Sequence, residues 1–240
     1  MRGFKYLLSV GNRTKQVKTN MRKTFIAVAL SLLGLSSVSA QESDTTQSAF
    51  KKNIITVKAG LGVSKTLSRG LSTSSVLGYH VGVSDQINVS KSMPLYVETG
   101  LFANMKGYKI LGYDESETKM HYLQLPALVN YHIGKQGGFE VIPSAGVYLG
   151  LGLAGKLKYN IDLDTYREID VFKDKTIKRF DFGTQMGIDV VFRKVQVGFA
   201  YDLGLIEIDK KDAIYGDSEE KLGYRNLKNR SAIFRLGLNF

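Results

Sequence analysis

The sequence predicts an all-β protein, an eight-stranded antiparallel up-and-down transmembrane β-barrel with an N-terminal signal peptide. Three observations predict it. Eight stretches alternate apolar with polar or small side chains over about ten residues or more, the length a tilted strand needs to cross a bilayer. The connections between these stretches alternate between long and short. The chain opens on a basic segment, an apolar run and a small-residue site that together read as an export signal.

The leader comes first. Met21-Arg22-Lys23 precedes the apolar run from Thr24 to Leu35, and Val38-Ser39-Ala40 supplies the small residues of a cleavage site. The run is short for a membrane anchor, which takes about 20 residues. Cleavage is expected between Ala40 and Gln41, with Met1 and Met21 both open as the start. Residues 1–40 are thus the leader (signal core 21–40), 41–52 a polar lead-in and 53–240 the barrel. The formal charge of +11 suggests a nucleic-acid partner until it is located. Seven of the 33 basic residues and none of the 22 acidic ones lie in residues 1–40, so 26 against 22 remain, a net of +4. No nucleic acid is expected as a partner. The chain has no Cys, which excludes a disulfide framework.

The strands follow in order. A strand sends successive side chains to opposite faces, so alternation marks a two-sided wall. In Ile55–Ser64 the apolar set is Ile55, Val57, Ala59, Leu61 and Val63, against Thr56, Lys58, Gly60, Gly62 and Ser64. Val76–Asn88 and Leu95–Lys106 repeat the pattern, with His80, Gln86, Glu98 and Asn104 on the polar face. His121–Ile133 and Phe139–Ala154 continue it, with Gln124, Asn130, His132, Glu140 and Ser144 on that face. Arg179–Phe192 shifts parity, placing Phe180, Phe182, Met186, Ile188 and Val190 against Arg179, Asp181, Gln185 and Asp189. Val195–Leu205 places Asp202 on the polar face, and Leu227–Phe240 places Arg235 there, broken only by Ile233.

Thr66–Ser75, Gly107–Met120, Gly155–Lys178 and Ile206–Arg230 read as long polar loops, whereas Ser90–Pro94, Gly134–Gly138 and Arg193–Lys194 are short. Outer-membrane barrels have short periplasmic turns and long extracellular loops. Three features put the apolar face outside, in lipid, rather than inside as in a soluble barrel. The polar face is rich in Gly, which suits the narrow interior of eight strands. The apolar face is too bulky for that interior. Phe139, Phe180, Phe192, Tyr201 and Phe240 lie towards strand ends, where interfacial girdles sit. Closure pairs every strand amide and carbonyl within the wall. Outer-membrane lipid is therefore an expected partner.

Local phrases carry a resemblance. Leu95-Tyr96-Val97-Glu98-Thr99-Gly100-Leu101, Tyr122-Leu123-Gln124-Leu125-Pro126 and Phe180-Asp181-Phe182-Gly183 resemble the PorT-like outer-membrane β-barrel family, over roughly Lys52 to Phe240. The resemblance implies an eight-stranded barrel in a bacterial outer membrane. One branch of that family takes part in secreting proteins to the cell surface, and the resemblance leaves this chain's branch open.

The residues offer little chemistry. His80, His121 and His132 are the only histidines and have no ligand spacing or Ser-His-Asp set around them. Asp162, Asp164 and Asp170 lack the calcium-loop spacing. No cofactor, metal or enzymatic activity is expected. The inward charges are the better candidates: Lys58, Glu98, Glu140, Arg179, Asp181, Asp189, Asp202 and Arg235. Charges in a narrow lumen must pair. A network of Lys58, Glu98, Asp202 and Arg235 is expected to fill the barrel and block flow. The loops, with Tyr159, Tyr166 and Phe172 in one and Asp209 to Tyr224 in another, are expected to face solvent and to meet a surface or secretion-system protein, polysaccharide or lipopolysaccharide. Phe240, a terminal aromatic on the last strand, is expected to be the signal for the outer-membrane assembly machinery. The expected function is non-catalytic: structural or surface-interacting, with a secretion accessory or a narrow-pore channel as the alternatives.

Overall fold

The computed structural model describes residues 50–69, 72–110, 116–162, 165–174, 176–209 and 225–240. The leader, the Ala40–Gln41 junction, most of the lead-in, Asp164 and the segment 210–224 lie outside the described residues.

Ten strands form in chain order: β1 Asn53–Arg69, β2 Thr73–Asn88, β3 Leu95–Ile110, β4 Ser116–Tyr131, β5 Ile133–Gly134, β6 Phe139–Asp162, β7 Thr165–Asp170, β8 Phe180–Phe192, β9 Val195–Gly204 and β10 Arg225–Asn239. Eight of them close a ring in the order β1-β2-β3-β4-β6-β8-β9-β10 and back to β1, every pairing antiparallel. Closure removes the free edges an open sheet would expose. The two-residue β5 and the short β7 pair with β6 alone. The seam runs from Thr56 opposite Asn239 to Arg69 opposite Arg225, and the Phe240 amide donates to the Ile55 carbonyl at 2.8 Å.

Alternation sets the faces as expected. Along β1 the even positions Ile54, Thr56, Lys58, Ser64 and Thr66 are buried inside, and Ile55, Val57, Leu61 and Val63 are exposed on the outer wall. Phe139, Phe192 and Phe240 are exposed at the end that holds the C-terminus, and Phe180 at the other. Outward residues run from Val195 on β9 to Leu205 just past its end. That is about 34 Å along the strand, or about 26 Å of height at a tilt of about 40°, which matches a bilayer core.

The strands extend further than expected at the end away from the termini. Most of Thr66–Ser75 and Gly107–Met120 is strand, not loop: β1 runs on to Arg69, β2 starts at Thr73, and Ile110 faces Ser116. Gly155–Lys178 contains the end of β6, all of β7 and a return segment. The reason is physical. Beyond the lipid the outer face of a strand meets water, so apolar alternation stops while backbone pairing continues. A register shift at His121/Tyr122 also flips the parity of β6, which turns Leu157 inward and Lys156 and Lys158 outward. The alternation therefore ends at Ala154 although the strand does not.

Candidate functional site

The lumen is filled by three polar tiers with an apolar cap above them. The lowest lies at the end with the short turns. The Lys58 ammonium pairs with Glu98, and the second Glu98 oxygen accepts from Asn130 at 2.6 Å. Asn130 also donates to Gln86 at 3.0 Å. His132 joins Gln86 (2.9 Å) to Glu140 (2.7 Å) and packs against the Tyr96 ring. The Tyr96 hydroxyl donates to the Lys51 carbonyl at 2.9 Å, and the Lys51 amide donates to Gln136 at 3.0 Å. The end of the lead-in therefore bonds to the rim of the lower mouth.

The middle tier is a two-pronged ion pair. Arg235 Nε donates to Asp189 Oδ1 at 3.0 Å and Nη2 to Oδ2 at 2.6 Å. The register explains it: Arg235 on β10 faces Gly198 on β9, which faces Asp189 on β8. A Cβ on Gly198 would lie 1.7 Å from Asp189 Oδ1, so the absent side chain is the space through which the pair meets. Two parallel N–H···O bonds make a strong, directional contact.

The upper tier centres on Lys106. Its ammonium reaches Asp202 at 3.1 Å and Asp181 at 3.5 Å and lies 4.2 Å from the centre of the Tyr148 ring. Asp202 also accepts from Gln185 (2.6 Å) and Gln124 (3.1 Å), and Asp181 from Asn229 (3.0 Å) and Tyr148 (3.3 Å). Gln124 continues through Asn104 to His80 at 2.7 Å. Lys106 belongs to β3 and its carboxylates to β8 and β9, so this tier ties opposite walls of the barrel together.

Above it the filling becomes apolar. Tyr108, Met120, Tyr122, Leu157, Val171, Phe172, Ile177, Ile208 and Leu227 form one buried cluster. The segment after β7 folds back over the mouth and inserts Phe172. That ring occupies the space a Cβ on Gly152 would take, 2.3 Å from it, and meets Tyr122 edge-on at 6.2 Å between centroids.

The structure thus distributes the four expected network residues over all three tiers. Lys58 and Glu98 meet each other. Arg235 meets Asp189 rather than Glu98 or Asp202, because the register aligns it with β8. Asp202 meets Lys106. Two further expectations are corrected. Arg179 is not in the lumen: it is exposed at the mouth, bonds the Gly152 carbonyl at 2.9 Å and lies 5.0 Å from the Phe172 ring centre. Phe172 is not a solvated loop residue but 5% exposed. Lys106 sits at an even, inward position of β3, and that parity was the available signal for it. Nothing local to the sequence marks Phe172.

The histidines separate. His80 and His132 hydrogen-bond inside the lumen, whereas His121 faces outward and contacts the Tyr79 hydroxyl at 3.0 Å. Among the described residues no three His, Asp or Glu side chains converge as a metal site, and no helix is long and apolar enough to cross a membrane.

Solved structures with a similar chain path include Ail, the attachment invasion locus protein of Yersinia pestis (11% identity, 79% of this chain and 100% of that one, TM-score 0.39). Neisserial surface protein A is another (14%, 78% and 97%, TM-score 0.43), as is a major outer membrane protein of Thermus thermophilus (15%, 79% and 100%, TM-score 0.46). Comparison with curated proteins returned no match. Residues 34–210, well over half of the chain, match the family model described as outer membrane protein beta-barrel domain, and with its closed ring of eight strands the protein belongs to that outer-membrane family.

Proposed function

We propose that this protein is a non-catalytic, non-conducting barrel of the bacterial outer membrane that works through its outer face. One observation carries the reading: the lumen is occupied by side chains from Tyr96 and His132 at the lower mouth to Phe172 at the upper. What remains available to a partner is the surface built by the extended hairpins β1–β2, β3–β4 and β6–β7. Planar-bilayer recording tests the first half of the proposal. The expected result is no steady conductance, and a stable open level would overturn it. Cross-linking on intact cells through Lys109, Lys119, Lys156 and Lys158 tests the second half, with a discrete macromolecular adduct expected.

The Tyr122–Pro126 phrase favours a more specific second reading, a PorT-like accessory of protein secretion to the cell surface. Deletion of the gene with surface-protein export as the readout separates the two. The proposal includes an export signal on residues 1–40 cut between Ala40 and Gln41, testable by N-terminal sequencing of the mature protein. It also includes Phe240 as the assembly signal. Phe240 is exposed on the wall while its amide is bonded to Ile55, so its ring is free to be read. Deleting Phe240 should lower outer-membrane levels, and unchanged levels would remove that role.

A further inference from the structure

We infer that the outer ends of β1 and β10 form a wall site for the phosphorylated headgroup of an outer-leaflet lipid. The site rests on Lys65, Lys228 and Arg230. On β1 the unbroken exposed apolar run ends at Val63; the next outward residue is Lys65, and exposed Leu67 lies beyond it. On β10 it ends at Phe234 and Ala232, and the next outward residues are Arg230 and Lys228. The register places Lys65 directly opposite Arg230, and Leu67 opposite Lys228. Like charges directly opposite across two strands repel.

This repulsion is left standing here and relieved elsewhere on the rim. On the far flank Glu117 lies between Lys109 (3.8 Å) and Lys119 (3.1 Å). Glu168 lies between Lys156 and Lys158, and Asp170 faces Lys173 at 3.4 Å. Among the described residues no carboxylate pairs with Lys65, Lys228 or Arg230. Residues 65–69 and 225–230 hold five cations (Lys65, Arg69, Arg225, Lys228, Arg230) and no acid.

Height identifies the anion. Lys65 is ten residues beyond Ile55. That is about 34 Å of strand and about 26 Å of height at a tilt of about 40°, the top of an apolar band about 25 Å tall. The anion at that level is a lipid phosphate. Just below the cations the wall steps inward, because Ala232 stands in register between Val63 and Tyr201. An acyl chain attached to the phosphate lies against that step. A phosphate whose oxygens sit between Lys65 and Arg230 converts a repulsive pair into charge-assisted hydrogen bonds.

The test is native mass spectrometry of the refolded full chain in detergent, titrated with lipid A carrying two phosphates and with its dephosphorylated form. The triple variant K65Q/K228Q/R230Q should bind the phosphorylated lipid about a hundredfold more weakly, roughly fivefold per cation removed. K109Q/K119Q should change little, and the charge-conserving K65R/R230K should retain binding. Heat-modifiable gel mobility confirms that each variant is a folded barrel; should the triple variant fail to fold, R230Q alone carries the test with a roughly fivefold loss. Equal binding of the dephosphorylated lipid, an equal loss in K109Q/K119Q, or unchanged binding in the site variant would overturn the proposal. So would full competition by inorganic phosphate at matched concentration, which would make the site one for free phosphate.

Discussion

The lower and middle lumen and the outer mouth are filled in opposite ways. Up to Lys106 the filling is mainly charge, amide and hydroxyl, with Phe102, Leu128 and Ile142 among them; above it, the filling is Met120, Leu157, Phe172 and their neighbours. The wall around the lower part is covered by lipid, so its apolar side chains lie on the outside and its polar ones face each other. At the mouth water would enter, and burying rings there gains the usual stabilisation of removing apolar surface from water. The lesson is that the two regions should fail differently. A polar tier fails by leaving one partner charged and unpaired. The cap fails by leaving a void.

The largest effect should come from the polar side. Arg235→Met leaves the Asp189 carboxylate buried without its partner, and breaking a buried pair from one side costs about 4 kcal/mol. The double variant R235M/D189L removes both charges and should recover most of that loss. Denaturant unfolding in lipid vesicles measures both. A double variant as unstable as the single one would mean that the pair acts through more than charge balance.

Next comes the cap. Phe172→Ala should cost about 3 kcal/mol, the lower end for a buried ring. The loss should be local. Hydrogen exchange should rise in residues 171–178 and at the upper ends of β4 and β6, while Arg235 and its tier stay protected. Bilayer conductance should stay near zero, because the polar tiers still fill the lumen. A steady open level in this variant would show that the cap alone closes the barrel.

The same contrast between lipid-covered wall and open mouth decides what was legible in the sequence. The ring of eight strands was legible because each crosses lipid, and lipid on one side with a narrow lumen on the other forces strict alternation. Parity placed Lys58, Glu98, Asp189, Asp202 and Arg235 inside for the same reason. Their partners were not legible. Which inward residue meets which depends on the stagger of the strands, and only the register shows that Arg235, Gly198 and Asp189 stand in line. Lys106 meets groups on the opposite wall, a relation with no trace in local sequence. Beyond the lipid the constraint lapses, so the hairpins read as loops. Phe172, one aromatic in a charged stretch, shows its role only once the segment after β7 is folded over the mouth.

Gly198→Ala tests the register directly. The added methyl would fall on Asp189 Oδ1, so Asp189 or the strand must shift. Overpacking of this kind costs about 2 kcal/mol. The loss should be absent in a D189A/R235M background if the methyl acts only through the pair. An undiminished loss there would mean that Gly198 is needed by the strand rather than by the salt bridge.

The smallest effect belongs to the exposed hairpin β6–β7, outside both fillings. The Lys156 hydrogen bond to Glu168, opposed by slight desolvation and aided by the charges of Lys156 and Lys158, holds the Glu168 carboxyl below its ordinary range. The same bond raises Lys156. A carboxyl depressed in the folded hairpin stabilises it above the ordinary glutamate pKa of about 4.3. That stabilisation is lost as pH falls through the depressed value. An NMR titration of the Glu168 side-chain carboxyl should therefore show a midpoint below the ordinary one, and Lys156→Gln should move it back up. A titration of Glu168 that Lys156→Gln leaves unmoved would mean that the hairpin's ion pair is not formed in solution, and that only the buried charges of this barrel are held in fixed pairs.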